Sequence, residues 1–137
     1  MVEKVSPNSS LGKDMLSAFV VGGLICTLGQ AFVNLYMYLK LPQEKASTLA
    51  SVTLVFLAIL LTGFQRFDNL AKVGKAGVLV PITGFANAMS SPAIEFKTEG
   101  FVLGVGANIF KIAGPVIAYG TAASVLYGVI YWITRLF

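Results

Sequence analysis

Charged residues cut this chain into polar links and long apolar stretches, and the gaps between charges predict its elements. Met15 to Leu39 holds 25 residues without a charge, between Asp14 and Lys40, and about 20 suffice for a helix to cross a bilayer. A first spanning helix is expected there. Met1 to Asp14 ahead of it reads as a polar leader, followed by a single helical membrane domain over 15–137. The link Lys40-Leu-Pro-Gln-Glu-Lys45 carries Pro42, which stops the helix, and Ala46 to Gln65 then gives 20 uncharged residues for a second span. From Arg66 to Lys75, Phe67, Leu70, Ala71 and Val73 alternate with Asp68, Lys72 and Lys75. That pattern predicts a short amphipathic element at the membrane interface.

The third uncharged run, Ala76 to Ile94, is interrupted by Gly77, Pro81, Gly84, Asn87 and Pro92. Proline removes a backbone donor, and hydrocarbon has no water to meet the freed carbonyls. The segment Gly77 to Asn87 is therefore expected to be broken or re-entrant. Gly100 to Thr134 is 35 residues with Lys111 as its one charge; a straight helix of that length would measure about 52 Å. A break at Gly114-Pro115 is expected, leaving a Gly-rich amphipathic segment, Gly100 to Ala113, before a last span anchored by Tyr127, Tyr131 and Trp132. The fold class is thus an all-α integral membrane protein with about four membrane segments, the third interrupted.

Composition agrees and narrows the chemistry. Of 137 residues, 12% are charged and 56% hydrophobic, against about 25% charged in a soluble domain. Histidine is absent and Cys26 is the single cysteine, which excludes the usual zinc sets, Cys-His nucleophiles and imidazole acid–base work. Beyond the leader and first link the acidic residues are Asp68, Glu95 and Glu99, none beside an obvious base. No phosphate-binding Gly-x-x-x-x-Gly-Lys-Ser/Thr motif occurs. An enzyme, a cofactor and a metal centre are not expected. The excess of ten basic over six acidic residues contains no run fit for nucleic acid. An inside N-terminus places Lys4, Lys13, Arg66, Lys72 and Lys75 on one side against Lys40 and Lys45, which obeys the positive-inside bias.

Polar residues on apolar faces are the candidate functional groups. Gly23, Thr27, Gln30 and Asn34 are spaced 4, 3 and 4 and form one helical stripe. It reads either as glue between helices or as a pore lining. Gly100, Gly104, Asn108, Lys111 and Gly114 make a second stripe. An ammonium in hydrocarbon is costly, so Lys111 must snorkel, pair with Glu95 or Glu99, or face water. Thr83 and Asn87 lie in the interrupted segment beside backbone freed by Pro81 and Gly84. Broken helices of that kind hold ions through their exposed ends, whereas a tight hairpin turn is the structural alternative.

Three blocks carry a resemblance: Val21-Gly-Gly-Leu-Ile-Cys-Thr-Leu-Gly-Gln30, Val80-Pro-Ile-Thr-Gly-Phe-Ala-Asn-Ala-Met89, and Glu99-Gly100 with Lys111 downstream. The chain resembles the small SpoVA membrane proteins of spore-forming bacteria, of the SpoVAC type. The resemblance implies a membrane subunit of a complex in the spore inner membrane, formed from the forespore membrane. That complex moves dipicolinic acid as its calcium chelate, inward in sporulation and outward in germination. It also implies partners: an SpoVAE-type membrane subunit and an SpoVAD-type soluble subunit. Lys75 stands where that family is expected to carry a small residue, and Ala88 where serine is common. Lys111, Thr83, Asn87, Asn108 and Lys75 would then line a path for a planar dicarboxylate, which needs donors or positive charge without excessive affinity. Two other readings stay open: a non-conducting scaffold that docks partner helices, and a homo-oligomeric pore gated by membrane tension.

Overall fold

In the computed structural model, which describes residues 10–136, every regular element is helical. Most of the expected leader lies outside the described residues, and helix α1 begins at Leu11. In chain order the elements are α1 (Leu11–Tyr38), α2 (Gln43–Gly63), α3 (Phe67–Gly74), α4 (Ala76–Leu79), α5 (Ile82–Glu95), a 3₁₀ turn (Lys97–Glu99), a π-helical segment (Phe101–Gly106) and α6 (Ala107–Leu136). The chain divides into two compact units, one ending at Asn87 and one beginning at Ala88.

The first unit is built on the α1–α2 hairpin. Helix α1 ends in a Schellman motif: the Leu41 N–H donates to the Tyr36 carbonyl (3.2 Å) and the Lys40 N–H to that of Met37 (2.9 Å). Lys40, at φ 64°, occupies the left-handed position that glycine usually takes. Pro42 follows and precedes α2. Helix α2 closes in the same way, with Gln65 at φ 56°, Gln65 N–H on Thr62 O and Arg66 N–H on Leu61 O. Ala46, Ala50 and Ala58 are buried at spacings of four and eight along α2, a stripe of small side chains that permits close helix approach. The Tyr36 hydroxyl donates to Thr53 Oγ1 across the hairpin (2.7 Å), while Thr53 Oγ1 donates to Leu49 O.

Helix α1 also packs against α3 and α4. The core joins Ala58, Phe67, Val78 and Ala86, flanked by Val21, Ile25, Val55 and Ala71. Phe67 is 2% exposed, so the amphipathic element expected from Arg66 to Lys75 is a helix whose aromatic residue is the keystone of this unit. An apolar cavity of about 160 Å³ sits beneath it, lined by Ile25, Leu54, Phe67 and Thr83 among others.

Among the described residues, three helices are long and apolar enough to cross a membrane: Leu11–Tyr38, Gln43–Gly63 and Phe101–Leu136. The run from Ala76 to Ile94 is divided at Val80-Pro81 into pieces of 4 and 14 residues, each shorter than the roughly 20 needed to cross alone.

The last stretch corrects one expectation. The helix does not break at Gly114-Pro115; α6 runs through Pro115. A proline there forfeits the hydrogen bond to the Lys111 carbonyl, whereas ending the helix would leave several backbone groups unmet in hydrocarbon, so continuing through Pro115 costs less than stopping. The change of direction falls upstream at Gly100, at φ 94°. The Gly-rich segment is wound into the same helix as a π turn, with the Val105 N–H donating to Gly100 O (3.0 Å).

Candidate functional site

The interrupted segment is positioned by backbone contact. Gly77 of α4 lies on α1: a Cβ there would collide with the Ala18 carbonyl and come within 2.8 Å of the Gly22 nitrogen. Gly22 in turn lies 3.3 Å, measured from its missing Cβ, from the Gly77 Cα. This is a glycine-on-glycine crossing. Gly84 has the same character, because its missing Cβ would collide with the backbone of Leu79. Of the three residues expected as broken-helix backbone, Gly77 lies against α1, and Gly84 lies against Leu79 across the break that Pro81 marks.

The polar groups of this elbow satisfy one another. The Thr83 hydroxyl donates to the Val78 carbonyl (3.1 Å), replacing the backbone donor lost where the ladder is interrupted. Thr83 is 8% exposed. One turn on, the Asn87 carboxamide meets the Thr62 hydroxyl at 2.8 Å, and that hydroxyl also lies 2.8 Å from the Ala58 carbonyl. A hydroxyl has one proton. Both contacts are satisfied together when Thr62 donates to Ala58 and the Asn87 amide nitrogen is turned to donate to Thr62. Lys75 stands at the junction of α3 and α4 with φ 49° and ψ −132°. Its side chain is exposed, and its N–H donates to Ala71 O (2.8 Å).

The polar stripe of α1 lies elsewhere. Gly23, Thr27, Gln30 and Asn34 are all exposed, whereas Gly22, Ile25, Gly29 and Tyr36 turn inward. At 100° per residue the two faces are roughly 150° apart. Thr27 Oγ1 donates to Gly23 O and Gln30 Nε2 to Asn34 Oδ1, each at 2.9 Å. These bonds stay within the helix. No atom approaches within 4 Å of a Cβ built on Gly23.

The second unit gathers the remaining candidates. Gly104 packs on the Phe96 carbonyl and on Glu99, leaving no room for a side chain. Asn108, one turn later and 7% exposed, donates through Nδ2 to Gly104 O (2.7 Å). Its Oδ1 is buried and accepts nothing. Lys111, a further turn along, holds Nζ 5.8 Å from the centroid of the Phe96 ring, a cation–π distance. Glu95 accepts from Ser91 Oγ (2.9 Å), and Glu99 is exposed. The phenylalanine, rather than either carboxylate, is the partner Lys111 has here. At the far end of α6, Tyr127 and Tyr131 stack with centroids 6.4 Å apart and Arg135 lies 5.1 Å over Tyr131.

The sequence alone missed three residues of this arrangement. Thr62 reads as one more hydroxyl of a span, Gly22 is overshadowed by Gly23, and Phe96 borders a charged loop. A signal was present only for Gly22, since adjacent glycines in an apolar helix mark close approach on one side or the other. Among the described residues, no group of three or more Cys, Asp and Glu side chains is placed to hold a metal ion.

A family model of SpoVAC/SpoVAEB sporulation membrane proteins matches residues 14–130. The chain belongs to this family. It is 42% identical over 130 residues to stage V sporulation protein AC of Bacillus subtilis (strain 168), covering 94% of this chain and 87% of that protein. No solved structure matches it. The match takes in most of α1 through most of α6, including both polar stripes and the elbow.

Proposed function

We propose that this sporulation membrane protein is the channel or permeation subunit of a SpoVA complex that moves calcium dipicolinate across the spore inner membrane. Import accompanies sporulation and release accompanies germination. The observation that carries the reading is the exposure of Gln30 and Asn34 on the outer side of α1. Their mutual bond leaves several amide donors and acceptors free, and hydrocarbon offers none in return. Such a helix is made to meet other protein or a wet path, as a subunit does.

In this reading the elbow at Val80-Pro81 dips into the membrane, and Lys111 with Asn108 offers the path a cation and a carboxamide. A lone cation and neutral carboxamides suit a dicarboxylate that must leave as readily as it enters. SpoVAE-type and SpoVAD-type proteins are the expected partners. Liposomes holding the purified complex should release the chelate, and Lys111→Ala or Asn87→Leu should change the rate with assembly intact. Unchanged release in both variants removes these residues from the path.

One observation favours a scaffold instead: Thr83 and Asn87 spend hydrogen bonds on Val78 and Thr62. A scaffold predicts that Gln30→Leu with Asn34→Leu abolishes assembly, while Lys111→Ala leaves release untouched.

A further inference from the structure

Helix α3 has a length, an anchorage and a charge pattern that the transport reading leaves unused apart from Lys75. Its eight residues measure about 12 Å, far too short to cross a bilayer. Helix α2, which precedes it, is 21 residues long, or about 31 Å, which matches the hydrocarbon thickness of about 30 Å. When α2 spans, the residues directly after Gly63 therefore stand at headgroup level.

The chain holds α3 firmly at that level. Phe67 is buried in the core, and Gly74 is pressed between Val21 and Val78. The Ser17 hydroxyl of α1 donates to the Val73 carbonyl. Both ends are fixed by sharp reversals at residues of positive φ, Gln65 and Lys75. A side chain in that region costs of order 1 kcal/mol or more unless its surroundings impose it.

What the helix turns outward is amphipathic in a particular way. Leu70 is 38% and Val73 62% exposed, an apolar flank. Arg66, Lys72 and Lys75 are exposed beside it, and among the described residues none of them is paired with a carboxylate. Asp68 is the one acid in this segment. Lys13 lies one turn before Ser17 on α1 and adds a fourth cation at the same end. The opposite end of the hairpin carries Lys40 and Lys45 but no amphipathic helix.

We propose that the end of the α1–α2 hairpin closed by α3 binds anionic phospholipid headgroups, with Arg66, Lys72 and Lys75 on the phosphate and Leu70 and Val73 against the upper acyl chains. A guanidinium and two ammonium groups match a phosphodiester anion. The apolar flank selects a lipid over a soluble anion, because free phosphate gains nothing from it.

The full chain purified in detergent tests this through lipid retention, read by native mass spectrometry with phosphatidylglycerol, phosphatidylcholine or inorganic phosphate added. Phosphatidylglycerol should be retained preferentially, and Lys72→Gln should cut that preference about fivefold, the equivalent of about 1 kcal/mol for one headgroup cation. Arg66→Gln, Lys72→Gln and Lys75→Gln together should bring it to the phosphatidylcholine level. Val73→Ser should lower retention of both lipids without changing a charge, and Lys40→Gln with Lys45→Gln should change neither. Equal retention of the two lipids by the unaltered chain overturns the proposal. So does a preference that survives the triple change, or inorganic phosphate binding as tightly as the lipid.

Discussion

The elbow of the first unit and the Asn108–Lys111 stretch of the second answer the same problem differently. Both place asparagine one turn from a small or hydroxyl residue on a predominantly apolar helix. In the elbow, Asn87 meets a hydroxyl from another helix, 25 residues away in sequence, and Thr83 closes the carbonyl that the break exposes. In the second unit Asn108 reaches back only along its own helix and leaves a buried oxygen unanswered. A polar group satisfied across helices welds a fold. One satisfied only locally is left available for what the chain meets next.

Substitutions can break that contrast or sharpen it. The largest effect is expected at the glycine crossing. Gly77→Leu forces a side chain into the Ala18 and Gly22 backbone, and overpacking there should cost about 3 kcal/mol, read as lost thermal stability in detergent. A near-normal stability would mean that the α1–α4 contact is loose and the elbow free to move. Next is Asn87→Leu, which leaves the Thr62 oxygen without the amide it faces and should destabilise by about 1–2 kcal/mol in the same measurement. The equivalent change Asn108→Leu removes one hydrogen bond together with an unanswered acceptor, so its net effect on the isolated chain should stay within about 0.5 kcal/mol. Equal losses at the two asparagines would erase the distinction between welded and available. A change of about 0.5 kcal/mol, no larger than that at Asn108, is expected for Lys111→Met, which forfeits an exposed cation–π contact and keeps the aliphatic stem. Its signature should be in chelate release by the complex rather than in stability.

Much of the helical framework was legible in the charge gaps, because a bilayer-crossing helix must exclude charge over a length that few other structures need. Helix α3 was legible too, as alternating apolar and charged residues between Arg66 and Lys75. Thr83 and Asn87 were legible as uncharged hydrogen-bonding groups beside the interruption. Their partners were not: Thr62 and Val78 reach them only through the fold-back, and periodicity carries no information about which helix lies opposite. Pro115 misled for a physical reason. One proline leaves one carbonyl unmet, but ending a helix in hydrocarbon leaves several, so a run with no other packing to turn against keeps its helix through Pro115. The π turn at Phe101–Gly106 has no sequence signature beyond its glycines, which equally suggest close packing.

The stacked end of α6 also serves as a ruler. Tyr127, Tyr131, Trp132 and Arg135 combine aromatic rings with a cation, the set that settles at a membrane boundary. Counting back from Tyr131 by the about 20 residues that cover 30 Å of hydrocarbon reaches Lys111. By that count Lys111, the one charge of this helix apart from Arg135, falls one membrane thickness from the aromatic anchors. The ten residues before it, with the π turn and Asn108, project past the hydrocarbon. A helix of 36 residues, where a bilayer needs about 20, thus has length to spare, and the surplus falls on the stretch that carries the π turn and Asn108.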